Sequence, residues 1–118
     1  MVEVSPRWGE VWVARLNPNH GSEIGKVRPV VVLQADELTS AGLPTVLVAP
    51  LTTRRHQGAE RLRIEVTPRD RLLRTSYVCA EHIRAIDRHR LGEGPLTRLT
   101  ATELRQVHQA LRGCLAMV

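Results

Sequence analysis

Two short polar stretches of this 118-residue chain carry side chains that could bind an anion. In the first, Gly21 and Gly25 bracket Glu23, and Arg28 and Pro29 follow just before a run of valines. Proline disfavours the helical conformation at the residue before it, so we expect Arg28 to be extended at the mouth of a strand. A guanidinium fixed there, beside a carboxylate and glycine amides, is a candidate anion-binding group.

The second stretch, residues 52–58, is a polar and cationic loop that begins with Thr52, Thr53 and Arg54. It follows an apolar segment that we expect to be a neighbouring strand. We expect the two stretches to meet only if the sheet is curled or the strands run parallel. The competing interpretation is that Glu23 and Arg28 form a surface ion pair and that Thr52 starts a turn.

Other kinds of site lack the residues they need. The five histidines are scattered, and neither Cys79 nor Cys114 has a second ligand at zinc-finger spacing, so we expect no metal and no cofactor. The chain has no Walker-type phosphate loop and no GxSxG motif. Cys79 and His82 would point to opposite faces of one strand, which argues against a cysteine nucleophile. We expect both cysteines to be free thiols in apolar segments.

Composition indicates one basic domain over residues 1–118. Seventeen lysines and arginines against twelve acidic residues give a formal net charge of +5, which favours a polyanion or an acidic protein as partner. Only 3% of the residues are aromatic, which argues against single-strand binding on a stacking platform. The chain has neither a run of about 20 apolar residues nor a signal-peptide pattern, so we expect a soluble, cytoplasmic protein with no membrane contact.

Alternation and turn residues predict several strands before one helix. Residues 35–44 are a predicted connection with a helical turn at 36–39, and Trp12 is expected in the core. Pro50, near the end of the third strand, predicts a sheet edge or a bulge there. The last two predicted strands could also be one long strand. The predicted strands cover residues 9–16, 28–34, 45–51, 61–66, 76–79 and 81–86.

The C-terminal segment has the pattern of an amphipathic helix. Thr100 and Glu103 form a capping box, and Leu99 and Leu104 form a hydrophobic staple. Antiparallel strands followed by one helix predict a small α+β domain with a curled, barrel-like sheet. The apolar face at helical spacing comprises Leu104, Val107, Leu111, Cys114, Leu115 and Val118.

Three ordered motifs resemble the MazF/PemK family of toxin endoribonucleases. The first joins GEVWV at 9–13, NP at 17–18, GSE at 21–23 and GKVRPVVV at 25–32. The second is VAPLTT at 48–53, and the third is AEHIRAID at 80–87. The resemblance runs in register from about Gly9 to the C-terminal helix.

The resemblance implies a small SH3-like, PemK/CcdB-like antiparallel barrel with a C-terminal helix, assembled as a homodimer. It implies metal-independent cleavage of single-stranded RNA at short sequences and neutralisation by an antitoxin with an acidic tail. Attack by the 2′-hydroxyl would leave a 2′,3′-cyclic phosphate and a 5′-hydroxyl. Two alternatives remain: a non-enzymatic module on the same fold, similar to toxins that poison DNA gyrase, and a basic RNA-binding adaptor.

Residue by residue, the resemblance assigns Arg28 and Thr52 to the catalytic positions. Glu23 matches a carboxylate implicated in some members, and we predict it as general base, the alternative being that it binds a base edge. Some relatives have an arginine where Cys79 stands and a histidine where Ser22 stands, so that version of the site is not available unchanged. The residues predicted to bind RNA are Gly21, Ser22, Gly25, Lys26, Thr53, Arg54, Glu81 and His82.

Overall fold

A computed structural model describes residues 5–18 and 20–117 of the chain. Three 3-10 turns, Glu60–Leu62, Ala80–His82 and Arg88–Arg90, connect elements of the second half. The described strands and helices, in chain order, are β1 (Glu10–Arg15), β2 (Val27–Val32), α1 (Asp36–Ser40), β3 (Thr45–Thr52), β4 (Arg63–Val66), β5 (Ser76–Cys79), β6 (Arg84–Asp87), β7 (Thr97–Arg98) and α2 (Ala101–Cys114).

The strands form one curled antiparallel sheet in which β3 is shared between two ladders. The neighbours run β4-β5-β3-β2-β1-β7, and β6 also pairs with β3. β3 pairs with β2 along one side, while its other side pairs first with β6 and then with β5. The predicted α+β fold, a curled antiparallel sheet followed by a C-terminal helix, is confirmed.

Most predicted elements are present, with ends shifted by a few residues. The segment 76–86 is two strands rather than one, because the 3-10 turn Ala80–His82 separates β5 from β6. β4 begins later than predicted, since residues 60–62 form a 3-10 turn. The strand β7 was not predicted, because a two-residue strand is too short to show alternation.

Pro50 does not lie at the edge of the sheet, so that part of its prediction is wrong. β3 is central and is paired on both sides. On the β5/β6 side, however, β6 reaches only Val48 and β5 begins at Leu51, with the turn Ala80–His82 between them. A residue without an N–H fits this gap, because on this side no described strand pairs with β3 between Val48 and Leu51.

Both faces of β1 and β2 are buried, which explains their nearly continuous apolar sequences. Alternate residues enter different cores: Val11 and Val31 pack with α2, whereas Trp12 and Val30 pack with β6. Trp12 is only 8% exposed, as predicted for a core residue.

The capping box of α2 is confirmed. Thr100 Oγ1 accepts a hydrogen bond from Glu103 N at 3.1 Å, and Glu103 Oε1 accepts one from Thr100 N at 2.8 Å. The helix buries Leu104, Val107 and Leu111 against the sheet.

The predicted apolar face of α2 extends too far. Cys114 and Leu115 are exposed, because the helix ends at Cys114 and no described part of the sheet covers its last turn. Val118 lies outside the described residues. Both cysteines are free, as predicted, but only Cys79 is buried in an apolar segment. None of the described helices is long and apolar enough to span a bilayer.

Candidate functional site

Arg28 and Thr52 lie on the neighbouring strands β2 and β3, near the same end of their ladder, and both line one cleft. The ladder ends at the pair of Val30 and Pro50, and the same register continued by two residues on each strand would bring Arg28 opposite Thr52. Residues directly opposite on antiparallel strands have Cβ atoms about 4.5–5.5 Å apart. The sheet is curled, one of the two conditions under which these loops were expected to meet, and the start of β2 adjoins the end of its antiparallel neighbour β3.

The Arg28 side chain is anchored at one nitrogen. Its Nε donates a hydrogen bond to the carbonyl oxygen of Gly25 at 3.1 Å. Within the described residues neither terminal nitrogen of Arg28 makes a hydrogen bond, and the side chain lines an open cleft. A guanidinium held in this way can present two parallel N–H donors to one phosphate group.

The loop before β2 is fastened to the end of β1 through Lys26. Lys26 N donates to Asn17 Oδ1 at 2.8 Å, and Lys26 O accepts from Leu16 N at 2.8 Å. Lys26 has φ of 67°, in the left-handed region that a side chain rarely adopts. These bonds hold the turn that places the Lys26 side chain on the cleft wall.

Glu23 lies in the same loop but is not among the residues that line the cleft. Its Oε1 accepts a hydrogen bond from His20 N at 2.7 Å, which closes the turn in which it lies. Its sequence neighbours Ser22 and Ile24 both line the cleft. The predicted general base is therefore adjacent to the cleft and engaged by its own turn.

Thr52 organises the opposite wall. Its Oγ1 accepts a hydrogen bond from Arg54 N at 3.1 Å, so the hydroxyl shapes the start of the loop that follows β3. The hydroxyl proton is not used by this bond and can still be donated to a ligand. Arg54 and Thr53 continue the wall beside it.

The cleft between these walls has a volume of about 880 Å³, within the range of ligand-binding clefts. It unites most of the predicted site and adds residues of β4, β5 and the loop at 56–59. Three predicted residues, Gly21, Glu23 and Gly25, do not line the cleft. Predicted residues that line the cleft are Ser22, Lys26, Arg28, Thr52, Thr53, Arg54, Glu81 and His82; residues not predicted include His56, Gln57, Arg63 and Cys79.

Arg63 is the main residue that the sequence analysis missed. It lies on β4 opposite Cys79 of β5, and its guanidinium forms an ion pair with Glu81 inside the cleft. Charged and apolar residues alternate along 61–66, a pattern that predicts a solvent-facing Arg63, yet its side chain is only 10% exposed. Only knowledge of the β4–β5 register could have brought Arg63 to Glu81.

The charges around Arg63 set the ionisation of two neighbours. Burial alone would raise the pKa of Glu81, but the hydrogen bond and charge of Arg63 outweigh it, so the pKa lies below its usual range. Burial raises the pKa of the Cys79 thiol, despite the nearby guanidinium groups of Arg63 and Arg28. A neutral, buried thiol is a poor nucleophile, in agreement with the sequence argument against a cysteine mechanism.

The cleft is predominantly cationic. Lys26, Arg28, Arg54 and Arg63 line it, against the carboxylate of Glu81. Among residues 5–18 and 20–117, no cluster of three or more histidine, cysteine, aspartate or glutamate side chains could hold a metal ion. The arrangement is suited to binding an anion with donors from two strands.

Comparisons with known proteins agree with this architecture. A family model described as "PemK-like, MazF-like toxin of type II toxin-antitoxin system" matches residues 7–115. A curated protein of Staphylococcus saprophyticus named Endoribonuclease MazF is 36% identical over 106 residues, which cover 89% of this chain and 87% of that protein.

Solved structures share the fold at low sequence identity. Crystalline MazF from Deinococcus radiodurans superposes with a TM-score of 0.83 at 23% identity, covering 98% of this chain and all of that one. An endoribonuclease in complex with its cognate antitoxin from Mycobacterial species gives a TM-score of 0.75 at 22% identity, covering 96% of this chain and 97% of that one.

Proposed function

Because this chain belongs to the PemK-like, MazF-like toxin family, we propose that it is an endoribonuclease toxin that cleaves single-stranded RNA without a metal ion. The cleft around Arg28 and Thr52 is the proposed active site. The observation that carries the proposal is that both residues line one cleft from adjacent strands, so a phosphate bound there would meet a guanidinium from β2 and a hydroxyl from β3.

The proposed reaction is an internal transesterification. The 2′-oxygen of the substrate attacks the adjacent phosphorus, and the bond from phosphorus to the 5′-oxygen breaks. The products are a 2′,3′-cyclic phosphate and a 5′-hydroxyl, so no water is consumed. The protein has to stabilise the additional negative charge on the phosphorane and to assist two proton transfers.

Arg28 and Thr52 supply the charge stabilisation in this proposal. An arginine side chain stays protonated in proteins, so Arg28 acts chiefly as a fixed positive charge with two donors for the phosphoryl oxygens. The Thr52 hydroxyl donates a further hydrogen bond to one of these two phosphoryl oxygens, while the bond from Arg54 N keeps the Thr52 oxygen in place.

Glu23 remains the predicted acceptor of the 2′-hydroxyl proton. Glu81 is less suited to that task, because its ion pair with Arg63 lowers its pKa and makes it a weaker base. Glu23 would act once RNA displaces its bond to His20 N and turns its side chain into the cleft beside Ser22 and Ile24. The 5′-oxygen takes its proton from water, since Arg28 stays protonated.

The decisive experiment compares the parent and three variants on a labelled single-stranded RNA in excess chelator. We expect Arg28→Ala to lower kcat by about 10²–10³-fold, the range found when one preorganised donor of a transition state is removed. Arg28→Lys keeps the charge without the paired donors and should lie between that variant and the parent. Arg105→Ala is the matched control, since it removes one exposed cation on α2 outside the cleft.

Mass spectrometry of the parent products should show 2′,3′-cyclic phosphate ends. Loss of parental activity in chelator, or equal activity of Arg28→Ala and Arg105→Ala, would contradict the proposal. Binding without cleavage would instead favour the non-enzymatic module or the RNA-binding adaptor.

Two partners complete the proposal: an antitoxin with an acidic tail and a second copy of this chain. The net charge of +5 and the four cations of the cleft would attract an acidic segment. A synthetic poly-glutamate peptide should therefore inhibit cleavage competitively at low salt and lose that effect at high salt. Light scattering should report twice the 13.2 kDa of one chain. The proposed site of action is the cytoplasm.

A further inference from the structure

The Arg63–Glu81 pair lies in the cleft but takes no part in the proposed phosphate grip, the binding of one phosphate by Arg28 and Thr52. Glu81 belongs to the 3-10 turn after β5, and Arg63 reaches it from the neighbouring strand β4. Exposure is unequal: the Glu81 side chain is 30% exposed, whereas that of Arg63 is 10% exposed. The carboxylate thus faces the cleft, with the guanidinium beneath it.

Stability alone does not account for this arrangement. The Nε of Arg63 is buried and makes no hydrogen bond to any described residue. A buried donor without a partner destabilises a protein, and buried ion pairs are often no better than apolar packing. The pair is therefore better explained by what it presents to the cleft.

A fixed, ionised carboxylate can only accept hydrogen bonds. It repels phosphate, so on an RNA strand gripped by Arg28 and Thr52 it must face a nucleobase or a sugar hydroxyl. Amino groups of bases are the best donors for a carboxylate, as when aspartate or glutamate accepts from cytosine N4. A carbonyl oxygen at the same place would be rejected, because two acceptors would then oppose each other.

We propose that Arg63 is a positioning residue that holds Glu81 as the acceptor for a nucleobase amino group, so that one position of the cleavage sequence favours cytosine over uracil. The inference rests on the proposed ribonuclease function and deepens it. Arg63 itself touches no substrate: it orients the carboxylate and keeps it charged.

The test measures cleavage rates on pairs of oligonucleotides that differ at one position, cytosine against uracil or adenine against hypoxanthine. The parent should prefer the amino-bearing base at one position by on the order of tenfold. Glu81→Gln should reduce that preference to near unity, because an amide both donates and accepts. Its effect should lie in KM, with kcat on the preferred oligonucleotide changed only a few-fold.

Arg63→Gln should lose the same preference and also change the pH profile. Without the guanidinium, burial raises the pKa of Glu81, so discrimination should fail at a higher pH on acidification than it does in the parent. Arg63→Lys should restore part of both properties. Glu65→Gln, which removes an exposed carboxylate from the same strand, should match the parent.

The outcomes separate the two proposals. A parent that cuts no RNA refutes the proposed function. If the parent cuts RNA and both Glu81→Gln and Arg63→Gln keep the base preference of the parent, only this inference is refuted. An equal loss of rate on all sequences also refutes it, since that result indicates a structural or catalytic role. Thermal melting of each variant verifies that the comparison is made on folded protein.

Discussion

The contact of Glu103 with Arg69 gives the sharpest prediction about what fixes α2 to the sheet. Arg69, in the β4–β5 connection, donates to Glu103 Oε2 through Nη1 at 3.0 Å and to Oε1 through Nη2 at 2.5 Å. Oε1 also accepts from Thr100 N as part of the capping box. Both charged side chains are mostly buried: that of Arg69 is 24% exposed and that of Glu103 is 13% exposed.

Glu103→Gln should lower the free energy of unfolding by about 2 kcal/mol at pH 7. The amide keeps one acceptor oxygen but loses the charge and the second acceptor, and charge-assisted hydrogen bonds contribute about 1.5–3 kcal/mol against about 1 for neutral ones. Arg69 keeps other acceptors, Thr67 O and Arg98 O, so it is not left unpaired. For a chain of this size 2 kcal/mol corresponds to a fall in Tm of roughly 8 °C.

The loss should depend on pH in a defined direction. Burial alone would raise the pKa of Glu103, but the hydrogen bonds from Arg69 and Thr100 outweigh it and lower the pKa. A carboxyl group with a lowered pKa stabilises the fold fully above its unfolded pKa and loses that contribution as the pH falls through its folded pKa. The difference between parent and Glu103→Gln should therefore be complete at neutral pH and shrink below about pH 4.

Urea denaturation followed by circular dichroism at several pH values measures this difference directly. The Thr100→Ala variant serves as reference, since it removes only the cap hydroxyl, at a cost of about 1 kcal/mol. Ordinary surface substitutions change the free energy of unfolding by up to about 0.5 kcal/mol. If Glu103→Gln lies within that range of the parent at pH 7, the ion pair contributes nothing to stability. A gap that stays constant down to pH 3 would show that the charge is not its source.

Three further substitutions test the site and the packing. Thr52→Val should lower kcat by about 10²-fold or more while Thr52→Ser restores most of it, because only the hydroxyl is proposed to stabilise the transition state; equal rates in an oligonucleotide assay would contradict the role. Gly94→Ala should destabilise the fold by roughly 1–3 kcal/mol in urea denaturation, since a Cβ there would lie 2.4–2.7 Å from atoms of the buried Trp12 ring. Gly113→Ala, with open space around it in α2, should stabilise by about 0.5–1 kcal/mol, and a shift of the opposite sign would refute the reasoning.

The sequence predicted those parts of the fold in which local chemistry and tertiary contacts agree. Valine-rich segments became β2 and β3, and the spacing of Thr100 and Glu103 became the capping box of α2. The prediction failed at the last turn of α2, where helical periodicity continued to Leu115 but no described part of the sheet covers it. Periodicity describes a face of a helix and says nothing about how far its partner extends.

The candidate site divides in the same way. Arg28 and Thr52 could be predicted because each lies in a contiguous motif at the end of an apolar strand. Arg63 could not, because its place in the cleft depends on its register against Cys79, and that register joins segments separated by a long connection. Charge alternation along β4 indicated a solvated side chain, and the ion pair with Glu81 overrides that local pattern.

The geometry of the Arg28–Thr52 pair follows from the two cores that flank β1 and β2. Because Val30 and Val31 enter different cores, a slip of β2 by one residue would move each into the environment of the other. The same slip would turn Arg28 away from Thr52, so the packing that stabilises the fold also fixes the spacing of the proposed phosphate grip. Changes in the loop before β2 are therefore expected to alter substrate preference with little effect on stability. Changes at Val30 or Val31 should instead lower stability and also alter substrate preference.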